Sequence, residues 1–476
     1  MLARETVRGL VKIVGHRNCR TDPEDLICYG YDATDLRYTP DAVVFPADAD
    51  ELVAIVRLAN ETPFYLIPRG AGSGMSGGSL PVKGGVVLAL SRMDRILSVD
   101  PENLVAVAEP GVVTGHLQAE VASQGLFYPP DPASLAFCTI GGNVATCAGG
   151  ARALKYGVTK DYVIGLEAVL ASGELVHTGV QTAKGVVGYD LTKLLVGSEG
   201  TLAIITKVVL KLLPQPESRR TLLAVFDRLG EAGAAVTRII TMGLRPSALE
   251  FMDKRSIQCV EDYLNTGLPR EAGALLLIEV DGVREGVIRH AEGIRTLCLG
   301  QGARRVDLAE TEEAAEALWQ ARRAVSPALF KLNPHKVSED ITVPRSRIPE
   351  IVAKLEEIGR NHRLIILCFG HAGDGNIHVN IMINRNDPDE LSRTEQAVNE
   401  IFQATMALGG TLSGEHGIGI TKAPYLGMEI DKMGLEAMRR IKEAFDPKGI
   451  LNPGKIFLEA YEQAAVLSKL WKGRYA

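Results

Sequence analysis

No Cys-x-x-Cys pair occurs in this sequence; its seven cysteines stand apart at 19, 28, 138, 147, 259, 298 and 368. That spacing excludes an iron–sulfur cluster or a thiolate zinc site of the usual kind, and there is no Cys-x-x-Cys-His haem attachment. The cysteines read as small core residues of a reducing compartment. A basic cluster is also missing, and 52 basic against 58 acidic residues leave a net charge of -6, so no nucleic-acid partner is expected. No apolar run reaches membrane-spanning length; "LAIITKVVLKLL" is cut by Lys207 and Lys211. The opening "MLARETVRGLVKIVGHRNC" has no apolar core followed by a small-residue cleavage site and is not a secretory signal. Glu5 and the spacing of Val7, Leu10, Val11 and Val14 predict a first amphipathic helix instead. The expected location is cytoplasmic, with no membrane span.

What is present suits a soluble globular chain. Hydrophobic residues make up 46% and charged ones 23%, and 476 residues suggest two or three domains. Residues 42–68 read as strand, helix, strand: "AVVFP", then Ala47–Asn60 with Leu52, Ile55, Val56 and Ala59 at helical spacing, then "FYLIP". Residues 101–215 read mostly as strands, with a helix at Val113–Gln124 and a Ser172-Gly173 hairpin turn. "LPQPESRR" carries two prolines within three residues and predicts a boundary. Beyond it, strands "TLLAVF", "ALLLIEV" and "LIILCFG" alternate with helical segments such as Glu312–Leu332, an α+β pattern.

Three glycine-rich elements stand out. Gly72-Ser73-Gly74-Met75-Ser76-Gly77 matches G-x-G-x-x-G, but Gly78-Ser79-Leu80-Pro81 follows and cannot open the helix that a dinucleotide fingerprint needs. NAD is therefore not expected here. Five glycines between Gly70 and Gly78 suit a backbone nest for a diphosphate; the bland alternative is a flexible surface loop. "TIGGNVATCAGG" follows "YPPDPAS", and Gly141 and Gly142 leave room for a flat ring, or else for tight helix packing. "VGSEGTLAII" is a glycine turn feeding a buried strand.

In "CFGHAGDGNIHVNI" a strand Leu364–Phe369, a turn Gly370–Asn376 and a strand Ile377–Ile383 predict a hairpin. It can bring His371 and His378 to one metal ion; the alternative is a glycine turn with two solvated imidazoles.

"PRGAGSGMSGG", "PPDPASLAFCTIGGNVATCAGG" and "GSEGTLAIITKVVLKL" resemble the FAD-binding domain of the vanillyl-alcohol oxidase type. With "GHAGDGNIHVN", "SGEHGIG" and "DPKGILNPGKIF", residues 40–457 resemble the branch holding FAD-dependent D-lactate dehydrogenases and the flavin subunit of glycolate oxidase. The resemblance implies an α+β fold: a two-subdomain FAD-binding domain at 1–215, an α+β cap or substrate domain at 216–410, and a C-terminal segment, 411–476, returning to the FAD domain.

It also implies site residues. Pro68, Arg69, Gly70, Ala71, Gly72, Ser73, Gly74, Ser76 and Gly77 would hold the FAD pyrophosphate. Pro130, Asp131, Ser134, Thr139, Gly141, Gly142, Asn143, Gly149 and Gly157 would line the flavin. Glu199, Gly200 and Ile205 would meet the adenosine or ribityl part. The first loop has no histidine, so the FAD is expected to be noncovalent. By the same resemblance His371, His378 and Glu415 would bind a divalent metal (Zn, Mn or Fe), and His416 would be the base that takes the hydroxyl proton. Arg322, four residues before Ser326, would hold a substrate carboxylate with Ser326 and Lys336, and Asn380 would give polar support.

The expected activity is oxidation of a D-2-hydroxy acid, D-lactate or glycolate, to the 2-oxo acid. Hydride would go to flavin N5 and electrons on to a separate redox protein, an electron-transferring flavoprotein or an iron–sulfur subunit. D-2-hydroxyglutarate is the rival substrate. A metal-dependent hydrolase would leave the three glycine motifs unexplained, and the complete His/His/Glu/His set argues against an assembly subunit that retains FAD without turnover.

Overall fold

The computed structural model describes residues 2–471, so Met1 and 472–476, which the outer domain limits include, lie outside it. Two compact units emerge. The first comprises 2–149, Val158–Gln215 and Glu415–Val466; the second comprises Gly150–Gly157, Pro216–Gly414 and 467–471.

The first unit is built on two main sheets. Four strands run in the order Cys19–Arg20, Ala42–Val44, Val86–Ala89, Leu66–Arg69, the last three mutually parallel. The parallel crossover is the predicted strand, helix, strand: the helix Ala49–Glu61 is capped by Asp48, which accepts from the Glu51 amide at 2.9 Å. The helix buries Leu52, Ile55, Val56 and Ala59 against the sheet and against Leu10 and Val14 of the first helix, Arg4–Val14. The returning chain adds to the sheet edge, where Asn452 donates to the Leu66 carbonyl at 2.8 Å. The second sheet is antiparallel, in the order Ile96–Asp100, Val105–Ala108, Ala203–Lys211, Val163–Leu170, Leu175–Gly179.

A seven-stranded sheet forms the second unit, ordered Ala303–Leu308, Ser218–Phe226, Ala274–Gly282, Ala248–Asp253, Ile365–His371, Asn376–Ile383, His335–Thr342. All six of its pairings are antiparallel. Residues 411–414 stay with this unit, since Thr411 and Thr342 exchange backbone bonds and the Gly414 amide donates to the Asp340 carbonyl at 3.0 Å.

Two expectations need correction. Glu312–Leu332 is not one helix: it stops at Arg323, resumes as Val325–Ala328 and ends in a tighter turn at Leu329–Lys331. Pro327 has no amide hydrogen for the Arg323 carbonyl and its ring crowds that turn, so the break falls four residues upstream of it. The histidine hairpin is tighter than predicted, because His371 and Asn376 are themselves paired strand residues and only 372–375 form the turn. Thr139–Gly150 includes a helix, Ile140–Thr146, whose N-cap Thr139 side chain accepts from the Gly142 amide at 3.3 Å.

Candidate active site

Within the first unit the glycine elements meet around one cleft. It is lined by Pro68–Ser76, Ser134, Thr139, Gly141, Gly142, Asn143, Gly149, Glu199, Gly200 and Ile205, joined by Glu415 and His416. About 1360 Å³ of free space lies within it, its open mouth included. Pro130, Asp131, Gly77 and Gly157 are not among the lining residues, and Gly157 belongs to the segment that clusters with the second unit.

No helix follows Gly72–Gly77. Gly72 has φ +70°, and a Cβ there would fall 2.0 Å from the Arg69 guanidinium, so the loop can bring bare main chain and a buried cation to the same place only with glycine. Gly141 packs rather than opens space: its Cβ would sit 2.5 Å from that of Pro110. Arg69 is itself buried, and burial pulls its pKa down while Asp32 opposes that fall. A glycine-walled cleft backed by a buried guanidinium is a chemical match for a dinucleotide's diphosphate.

Glu199 plays a part that the motif did not suggest. It is buried at a left-handed φ of +52°, and its carboxylate accepts from the Ile418 amide at 2.7 Å and the Gly419 amide at 2.8 Å. Ser76 donates to the His416 carbonyl at 3.0 Å and accepts at its own carbonyl from the Ile420 amide at 2.8 Å. Glu199 and the first glycine loop therefore hold the segment that carries Glu415 and His416. Burial pushes the Glu199 carboxyl above its ordinary value, against the pull of those two amides. Lys455, donating to the Leu80 carbonyl at 2.6 Å, is pushed down to about 7 by burial.

In the second unit the strand registers place a polar stripe on one sheet face. Glu250 pairs with His371, His371 with Asn376, Phe369 with His378, and His378 with Asp340. Alternation then sets Glu250, His371, His378, Asp340, Asn380 and Lys336 on the same side as Met252, Leu367 and Phe369. The imidazoles converge: His371 Nε2 lies 3.3 Å from His378 Nε2. Glu250 Oε1 stands 2.6 Å from His371 Nδ1, and Glu250 Oε2 stands 2.6 Å from Arg322 Nη2.

Arg322 comes from the helix Glu312–Arg323, is buried, and stacks over the Phe369 ring at 4.9 Å. Lys336 donates to Ser326 Oγ at 2.7 Å, so that pair does meet. Asn380 is fully buried, accepts from Ser338 Oγ at 3.3 Å and donates to the His378 carbonyl at 3.1 Å. Burial would raise the Glu250 carboxyl, but His371 and Arg322 outweigh it and hold the group below its ordinary value.

Glu250 and Asp340 escaped the sequence reading. Asp340, fully buried, accepts from Asn376 Nδ2 at 2.6 Å, from the Gly414 amide at 3.0 Å and from Ser413 Oγ at 3.3 Å. For Glu250 the available signal was an acidic residue inside the apolar run "ALEFM"; Asp340, beside Glu339 in "HKVSEDIT", carried no such signal. Two imidazole nitrogens aimed at one point, one ring braced by a buried carboxylate, form a donor set that fits a divalent metal.

The profile of the FAD-linked oxidase C-terminal domain matches residues 215–456, and that of an FAD-binding domain matches residues 40–179. The chain is 45% identical over 470 residues to the glycolate oxidase subunit GlcD of Bacillus subtilis, covering 98% of this chain and all of that one. To the D-lactate dehydrogenase of Anaerostipes hadrus it is 37% identical over 425 residues, 88% of this chain and 89% of that one. Among solved structures, p-cresol methylhydroxylase superposes with a TM-score of 0.81 at 16% identity, over 96% of this chain and 97% of that one. That last likeness concerns the fold, which is of the α+β, vanillyl-alcohol oxidase type expected from the glycine motifs.

Proposed function

The chain belongs to the family of FAD-linked oxidases, and from that premise we propose that it oxidises a D-2-hydroxy acid, D-lactate or glycolate, to the 2-oxo acid. The observation that carries this reading is the polar stripe on a single sheet face: two converging imidazoles, the buried carboxylate behind them, and a buried arginine stacked on Phe369. A small acid with adjacent hydroxyl and carboxylate groups matches that set.

FAD supplies the acceptor for the hydride that leaves the hydroxyl-bearing carbon. His371, His378 and Glu415 would hold a divalent cation (Zn²⁺, Mn²⁺ or Fe²⁺), which would supply a Lewis acid to lower the hydroxyl pKa. The residues do the rest. Arg322 binds the carboxylate through its planar guanidinium, with Ser326 and Lys336 alongside. Asn380 braces the strand beneath His378. A ring nitrogen of His416 accepts the hydroxyl proton, the role of a general base. Electrons then pass to a separate redox protein, a reading that the word "subunit" in the name of the Bacillus subtilis relative supports. Among the described residues no helix is long and apolar enough to cross a membrane.

The test is anaerobic reduction of the bound flavin by a panel of 2-hydroxy acids, with and without prior chelation. Bleaching by D-lactate or glycolate, lost on chelation and restored by one metal, is the expected result. Bleaching by D-2-hydroxyglutarate alone would move the substrate assignment, and a colourless protein would refute the flavin reading.

A further inference from the structure

We propose that Glu250 is a positioning residue that serves two partners at once, fixing the tautomer of His371 and the orientation of Arg322. This rests on the proposed function, since it assigns His371 to the metal and Arg322 to the substrate carboxylate.

The geometry has three parts. Glu250 is 1% exposed and lies directly across the sheet from His371 in the register of two antiparallel strands. Its Oε1 is within hydrogen-bond reach of His371 Nδ1 at 2.6 Å, and its Oε2 forms an ion pair with Arg322 Nη2 at 2.6 Å that lacks hydrogen-bond geometry, so each oxygen faces a different partner. Arg322 is 8% exposed, its face lies over Phe369, and its Nε has no hydrogen-bond partner among the described residues.

An ionised carboxylate only accepts, so the proton of His371 must sit on Nδ1. Nε2 then keeps its lone pair, aimed at the point where His378 Nε2 also aims. The other oxygen pairs with one corner of the guanidinium and leaves the buried Nε without a hydrogen-bond partner among the described residues. A buried carboxylate that orients a metal-side histidine commonly sustains metal affinity by about 10–100-fold. This one also neutralises the buried arginine with which it pairs. Nothing in the Gly370–Ile381 or Glu415–His416 motifs encodes it, because Glu250 precedes His371 by 121 residues.

Glu250→Gln keeps the shape but turns an NH2 toward one of two donors. In the FAD-loaded protein, titration calorimetry with Mn²⁺ should show the dissociation constant rising by about 10–100-fold. The KM for D-lactate should rise as well, with FAD content unchanged. Selective ¹⁵N labelling of histidine in the wild-type protein gives a second measurement that needs no variant: His371 should carry its proton on Nδ1. A Glu250→Gln protein with metal affinity and KM within twofold of wild type would overturn the proposal, as would a His371 protonated at Nε2 alone. Wild-type protein that binds neither Mn²⁺, Zn²⁺ nor Fe²⁺ would remove the metal reading and this proposal together. Wild-type protein that binds metal but is reduced by no 2-hydroxy acid would refute the substrate reading, leaving the Glu250–His371 coupling to stand on the metal titration.

Discussion

Replacing Glu199 by glutamine should loosen the segment that carries Glu415 and His416 without emptying the flavin cleft. The Glu199 carboxylate accepts from the Ile418 amide at 2.7 Å and the Gly419 amide at 2.8 Å, and the carboxylate itself is buried. A hydrogen bond to a charged group contributes about 1.5–3 kcal/mol. In the Glu199→Gln protein the new side-chain amide keeps one accepting oxygen and sets an NH2 against the other backbone donor, so one bond is lost and one weakened. Against this, burial already disfavours the Glu199 anion, and a neutral side chain escapes that opposition. The balance is a local loss of about 2 kcal/mol, or roughly 30-fold faster opening at about 1.4 kcal/mol per tenfold. Hydrogen-exchange mass spectrometry of the FAD-loaded protein reads this at Ile418 and Gly419, with the peptides of the strand Val163–Leu170 as the internal control. The flavin reduction rate should fall while FAD content stays constant. Exchange at both amides within threefold of wild type, together with an unchanged reduction rate, would refute the reasoning.

Acid precipitation should release FAD, not FMN, into the supernatant, because the first glycine loop has no histidine to hold it covalently; flavin left in the pellet would contradict this. His378→Ala, like chelation, should abolish flavin reduction by D-2-hydroxy acids with FAD still bound, while His416→Ala should keep metal and slow reduction by about 10²–10⁴-fold. Near-normal reduction in His416→Ala would reassign that residue to a structural role. Lys455 is held near 7 by burial, against about 10.4 in the unfolded chain, so folding releases its proton between those values. The unfolded state binds more protons across that window, and stability should rise with pH from 7 toward 10. In the flavin-free protein Lys455→Met should flatten that rise in thermal midpoint; parallel slopes for the two proteins would count against the assignment.

Short-range chemistry carried much of what could be known from the sequence. Gly78 and Pro81 forbid a helix after Gly72–Gly77 whatever the rest of the chain does, and none is there. The spacing of Leu52, Ile55, Val56 and Ala59 predicts a helix with one buried face, and all four are buried. Alternation around Gly373 and Gly375 predicts the histidine hairpin, although its turn was drawn too wide because glycines mark where a turn is permitted and not where pairing stops. The break at Arg323 was equally local, written in Pro327.

Other features had no local signature. Glu250 is one acidic residue in an apolar strand, and its meaning depends on a register with His371 that only sheet assembly sets. Asp340 matters because the chain returns at Ser413 and Gly414 to meet it. Glu199 lies in a recognisable motif, yet its carboxylate is directed by its left-handed backbone toward amides 219 and 220 residues away. Backbone preference and hydrophobic period act over a few residues, so they can be read along the chain. Hydrogen bonds of buried carboxylates are chosen by whichever donors tertiary packing brings near, and those donors come from anywhere in it.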